Sequence, residues 1–234
     1  MTDSRHTAGG AIRMRVAQES LEETGRAMRQ GSGRGLRQAQ RVVESQTRRL
    51  PPADRGPLAC EAGCDFCCHL RVMATAPEVF ALLDYLRGSL HREAFARFEQ
   101  RAEETDQRLR DLDSDDILRT NIPCPALVKG RCSGYAGRPL NCRSYHSTSK
   151  AACEDSFNHP EDLDRGHPQI KALAQVHEGS QAGFLSALER AGYDARQYEL
   201  ATALAEAMRD PEARKRMEAG ERVFRVPLEI PPDG

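Results

Sequence analysis

The apolar positions of this chain recur mainly at helical spacing. Val79, Leu83, Leu86 and Leu90 form one stripe. Thr75 is placed to cap that helix, with Pro77 and Glu78 in its first turn. A highly charged helix is expected from Arg92 to Leu112, turning Phe95, Phe98 and Leu109 inward, with Asp113-Ser114-Asp115-Asp116 ending it. His167-Pro168 opens another that carries Ile170, Leu173, Val176, Phe184 and Leu188, and Gly192 closes it. A further helix is expected from Asp194 with Tyr198, Ala201, Leu204 and Met208, then a short charged one from Pro211. These large apolar residues read as core.

The remaining stretches are polar or broken. Residues 1–10 read as a disordered tail, Ala11 to Gln30 as a polar helix, and Leu36 to Leu50 as a second one after the Gly31–Gly35 break. This arm is rich in arginine, and charge on helix faces is usually just solvated. Pro51-Pro52 and Gly56-Pro57 mark a boundary. Leu70 to Thr75 reads as a short extended piece, residues 121–160 as loop, and Val223 to Ile230 as an extended tail. The fold class is therefore mostly α, with few or no strands and one loop-rich layer. The absence of tryptophan and the scarcity of β-branched residues agree. Three segments follow: a basic N-terminal arm (1–50), a central domain (51–160), and C-terminal helices packed on it (161–234).

Composition changes the picture through cysteine. The 234 residues carry eight. The opening Met-Thr-Asp-Ser-Arg-His has no apolar segment behind it, so no signal peptide is expected. No apolar run is long enough to span a bilayer. The chain is thus read as cytoplasmic, where clustered thiols mean metal or catalysis rather than a disulfide framework. A net charge of −1 gives no general case for nucleic acid or membrane partners. The Gly31-Ser32-Gly33-Arg34-Gly35 run is not a phosphate loop, since no Gly-Lys-Ser/Thr ending follows it. No acid–base pair assigns catalytic residues.

Cys60, Cys64, Cys67 and Cys68 fall within nine residues, and His69 follows. On a helix all four thiols share one face; on a loop they fold around a point. Soft thiolates select zinc, Cu(I) or iron–sulfur clusters. A second block holds Cys124, Cys132 and Cys142, and Cys153 comes later. The two blocks are expected to meet because the helices between them form an antiparallel hairpin. Zinc and a four-iron cluster each take four thiolates, so eight thiols exceed one site. An iron–sulfur cluster is preferred over zinc for that reason. Arg138 and Arg143 flank the second block and would offset thiolate charge, or else are ordinary surface arginines. His69 is read as a neighbour of the metal more than a ligand. Cys153 is either a free thiol or a ligand of a second site.

The combination Cys60-x3-Cys64-x2-Cys67-Cys68, Cys124-Pro-x-Leu and Cys132-x2-Tyr135-x2-Arg138-Pro139-x2-Cys142-Arg143 resembles the YkgJ-type cysteine-cluster family over residues 58–146. That family is described as zinc- or iron-chelating. Gly134 stands where the family usually has an apolar residue. The resemblance implies Cys60, Cys64, Cys67, Cys68, Cys124, Cys132 and Cys142 as the metal-ligand set. Cys60-x3-Cys64-x2-Cys67 also matches the radical S-adenosylmethionine signature, but no run of strand–helix units follows. The expected function is a metal-binding protein whose centre is structural or transfers electrons. The alternatives are a cluster-dependent enzyme, by radical or group-transfer chemistry, and a zinc-stapled module that meets a protein partner.

Overall fold

The computed structural model describes residues 4–225, so the expected tail lies outside the described residues beyond Arg225. The chain is mostly helical. In order it forms α1 (Ser4–Met28), α2 (Ser32–Arg49), β1 (Met73–Thr75), α3 (Ala76–Ser89), α4 (Arg92–Arg110), α5 (Ser114–Leu118), β2 (Leu127–Val128), β3 (Arg131–Cys132), α6 (Leu140–Ser144), α7 (Lys150–Asn158), α8 (Lys171–Arg190), β4 (Gln197–Glu199), α9 (Leu200–Arg209) and α10 (Ala213–Glu218). No helix among them is long and apolar enough to cross a membrane.

Two large cores divide the molecule, with a small third cluster at Leu109, Ile117, Ile122 and Ala201. The first is a bundle of α1, α2 and α8, with Val16, Leu36, Val42, Val176, Phe184 and Leu188 at its centre. The arm is therefore not a solvated pair: Val16, Met28, Leu36, Ala39, Val42 and Val43 are buried in the core it shares with α8, while Met14 stays exposed. Helix α1 already runs from Ser4, and the break before Ser32 is a short turn at Arg29 and Gln30 with Gly31 at φ 107°. Gly179 and Gly183, one turn apart on α8, let α1 approach backbone to backbone. A Cβ at Gly183 would lie 2.4 Å from the Ala17 carbonyl oxygen, and one at Gly179 2.5 Å from that of Arg13. Buried serines close the same seam: the Ser20 hydroxyl donates to the Ser180 carbonyl at 2.9 Å, and the Ser180 hydroxyl to the Ala39 carbonyl at 3.1 Å.

The second core packs α3 and α4 around α9, with Leu83, Leu86, Phe98, Tyr198 and Leu204 buried. Helices α3 and α4 meet chiefly through α9, so the expected hairpin of two directly packed helices gives way to a three-helix arrangement. Asp106, buried on α4, accepts from Arg110 at 3.0 Å and from Arg209 of α9. Tyr198 lies on β4, not on a helix: β1 and β4 pair antiparallel, Ala74 opposite Tyr198. Each of these short strands runs straight into a helix, and each junction carries a buried carboxylate. The Glu78 carboxylate accepts the Thr75 N–H and O–H, both at 2.8 Å, and Glu199 accepts the Thr202 N–H at 2.8 Å. Asp113 does not merely end α4. Its carboxylate caps α5 by accepting the Asp116 N–H at 2.8 Å.

Candidate metal centre

The first cysteine block is not a helix. Residues up to Asp65 are irregular, and Phe66–His69 form one 3-10 turn. Its end is stitched to the second block by backbone hydrogen bonds. The Cys124 N–H donates to the Cys68 carbonyl at 2.8 Å, and the Ile122 N–H to the His69 carbonyl at 3.2 Å. Arg71 reinforces the seam. Its guanidinium donates to the carbonyls of His69 (3.0 Å) and Ile122 and lies 3.6 Å from the Glu199 carboxylate. Burial lowers the Arg71 pKa, and Glu199 opposes that only in part. Arg71 gave no sign of this role in the sequence, because all three partners are remote along the chain or are backbone atoms.

The second block is built from turns. Leu127 pairs with Cys132 across the β2–β3 hairpin. Its two-residue turn, Lys129-Gly130, has φ values of 49° and 72°, a pattern that suits glycine in the second place. Gly130 packs on the first block, where an added Cβ would meet the Gly63 carbonyl at 3.4 Å. Gly134 closes on α3: a Cβ there would lie 2.4 Å from the end of Leu82, which gives the departure from the family's pattern a packing reason. Cys142 lies on α6, and α6 is anchored at its start by Glu78, whose second oxygen accepts the Leu140 N–H at 2.7 Å. Asn141 donates to the Met73 carbonyl at 2.6 Å. One buried carboxylate thus fixes the start of α3 and the helix that carries Cys142.

The predicted residues fall into two neighbourhoods. Cys68, Cys124, Cys132 and Cys142 act on one another electrostatically, and the last three pack as half-buried residues against the second core. Burial pushes the Cys124 thiol up to about 12 and holds Cys132 and Cys142 above the ordinary thiol range. Cys60 and Cys64 face elsewhere. They line a cavity of about 60 Å³ together with Cys67 and Cys153. Cys67 stands at the junction: its sulfur accepts a hydrogen bond from the Cys68 thiol, which lowers Cys67 to about 7 and raises Cys68. Arg138 acts on Cys67, Cys132 and Cys142, favouring their thiolates, and stacks over Tyr135 at 3.6 Å. Arg143 instead donates to the carbonyls of Arg138 and Ala136, which shapes the loop. His69 is held by ring contact with Phe157 and by its Nδ1 beside the Asp65 carbonyl at 3.1 Å.

All eight cysteines are free thiols. Among the described residues, no group of three or more His, Cys, Asp or Glu side chains stands arranged to hold a metal ion. The donor chemistry nonetheless fits a soft cation. Ionising any inner thiol raises its neighbours, so the thiolate set needs a positive charge among its sulfurs.

Comparison with known families agrees with this chemistry. Residues 59–162 match the family described as "CxxCxxCC: Putative zinc- or iron-chelating domain". No curated protein and no solved structure gives a significant match. The match spans under half of the chain and takes in all eight cysteines, while α1, α2, α8, β4, α9 and α10 lie outside it.

Proposed function

We propose that this protein holds a metal centre through its clustered cysteines, an iron–sulfur cluster first and zinc second, in a structural or electron-transfer role. The observation that carries the reading is the seam at Cys68 and Cys124, which gathers thiols from two distant blocks into one half-buried layer. Cys68, Cys124, Cys132 and Cys142 are the proposed inner ligands, with Cys60, Cys64 and Cys67 completing the set of seven. A bound cation would supply positive charge at these sulfurs, and with iron a one-electron couple. The chain's own contribution is to fix the sulfurs and to keep Arg138 beside them, where its charge favours the thiolate forms. A cytoplasmic location goes with this reading, because free thiols persist there.

The test is oxygen-free purification followed by an absorbance spectrum and analysis of iron, zinc and acid-labile sulfide. A brown protein with matched iron and sulfide supports the cluster. A colourless protein with zinc supports the second reading, a zinc-stapled module whose partners should then be sought. A protein that binds neither metal overturns the proposal.

A further inference from the structure

The eight thiols exceed one four-ligand site, and the structure divides them unevenly in depth. The inner sulfurs are packed against the second core, but Cys60 is exposed and Cys64, Cys67 and Cys153 line an open cavity beside it. Cys153 belongs to α7, more than eighty residues from the first block, so its place there is a product of the fold. Three separate ties hold it. The Ala59 N–H donates to the Ser147 carbonyl at 2.8 Å, just before α7. Lys150, in the first turn of α7, pairs with Glu61 at 2.6 Å. Phe157, in its last turn, packs on Phe66 and His69 with ring centroids 5.4 and 5.0 Å away. Backbone, charge and ring contacts therefore all clamp α7 to the loop that carries Cys60 and Cys64. Cys60, Cys64 and Cys67 from the loop and Cys153 from α7 thus line one cavity.

We propose that Cys60, Cys64, Cys67 and Cys153 form a second, solvent-facing thiolate site for a soft metal ion, distinct from the inner Cys68, Cys124, Cys132 and Cys142. This rests on the metal-binding reading above and adds to it a residue, Cys153, and a division. The adjacent Cys67 and Cys68 share one 3-10 turn and touch through their sulfurs, and of the two only Cys67 lines the cavity, so the two sites would meet at this pair. Four S–H bonds give up their protons to buffer as four S–metal bonds form, with no change of oxidation state. The four sulfurs must move together on binding, which an irregular loop and the side chain of one helical residue permit. Phe66, Tyr145 and Phe157 line the same cavity and give the site an apolar wall.

The experiment uses the full chain, purified without oxygen, loaded with zinc alone and desalted. Zinc content is read beside native alkylation by N-ethylmaleimide, mapped by mass spectrometry. The wild type is expected to hold about two zinc ions, one per closed four-thiolate site. Cys153→Ser should hold about one, with Cys124 and Cys142 still protected from alkylation. Cys124→Ser should also hold about one, with Cys60 and Cys153 still protected. Should Cys153→Ser fail to give the wild-type circular dichroism spectrum, Cys60→Ser, at an exposed position, takes its place. Undiminished zinc in Cys153→Ser, with Cys153 of the loaded wild type alkylating like a free thiol, overturns the second site but leaves the first. A wild type that holds about one ion and loses it entirely in either variant overturns the division. A wild type that binds neither zinc nor iron overturns the metal reading, and this inference with it.

Discussion

The bundle of α1, α2 and α8 and the cysteine layer of residues 59–75 and 121–153 solve the same problem in opposite ways. The bundle has no cysteine, long helices and a close seam at which glycines bring two backbones together. Its order comes from apolar burial. The cysteine layer has short elements and half-buried thiols, and it is held by particular bonds: Cys124 to Cys68, Arg71 to two carbonyls, Glu78 to Leu140. A layer of short turns buries too little apolar surface to fix itself. It borrows rigidity from the second core, through carboxylates and a guanidinium whose partners are mostly backbone. Burial dictates one region, and hydrogen-bond satisfaction the other.

The strongest way to break this contrast is to remove residues 1–50. The arm carries no ligand, so sequence alone leaves metal content untouched by its loss. The structure shows that α8 would be left with Val176, Phe184 and Leu188 bare, at about 1.5–3 kcal/mol each. The truncated chain is expected to aggregate; a monodisperse product with a wild-type melting temperature would refute the bundle. Gly183→Ala should cost about 1–3 kcal/mol in urea denaturation, because the added carbon meets the Ala17 carbonyl and neither backbone can retreat. Gly25→Ala, on α1 with nothing near the added carbon, should instead be neutral or gain about 0.5–1 kcal/mol. Equal effects at the two glycines would remove the close seam from the argument.

Glu78→Ala probes the other region. It leaves the Leu140 and Thr75 N–H groups without their acceptor, which costs about 1–3 kcal/mol. It should also speed alkylation of Cys142 in the metal-free protein, while Cys60 reacts as before. The smallest effect concerns pH. Burial holds the His177 imidazole down at about 4, against an ordinary 6.5, with His146 and Arg143 adding repulsion. An unfolded chain takes up the proton near 6.5, and the native one only near 4. Stability from this group is therefore complete above pH 6.5 and lost as pH falls toward 4. His177→Phe should flatten the fall in melting temperature between pH 7 and 5; an unchanged slope would assign it to other groups.

Local pattern made part of this legible. The stripe of α3, the Thr75–Glu78 start of that helix and the closing Gly192 all follow from spacing and capping chemistry. The two cysteine blocks stand out by composition alone. What escaped notice depends on partners far along the chain. The strand at Gln197–Glu199 is three residues long and exists because Met73–Thr75 lies beside it, so no period announces it. Helix α7 is hidden in polar sequence, and with it the approach of Cys153 to Cys64. Gly179 and Gly183 look like weak points in a helix until α1 is placed against them. The arm's arginines read as a solvated face, because the half of the core that covers its apolar residues comes from α8.

The pairing of β1 with β4 also sets an order of events at the ribosome. Its two strands bracket the whole second block, and all eight cysteines precede Gln197. Closing so long a loop is slow and waits for the last segment to emerge. At about 5–20 residues per second, roughly 2–9 s pass between the synthesis of Cys153 and that of Gln197. During that interval every thiol of this chain is present while the fold that shelters the inner four is not. If the proposed centre is loaded in the cell, metal arriving in that interval would meet thiols that the fold does not yet shelter.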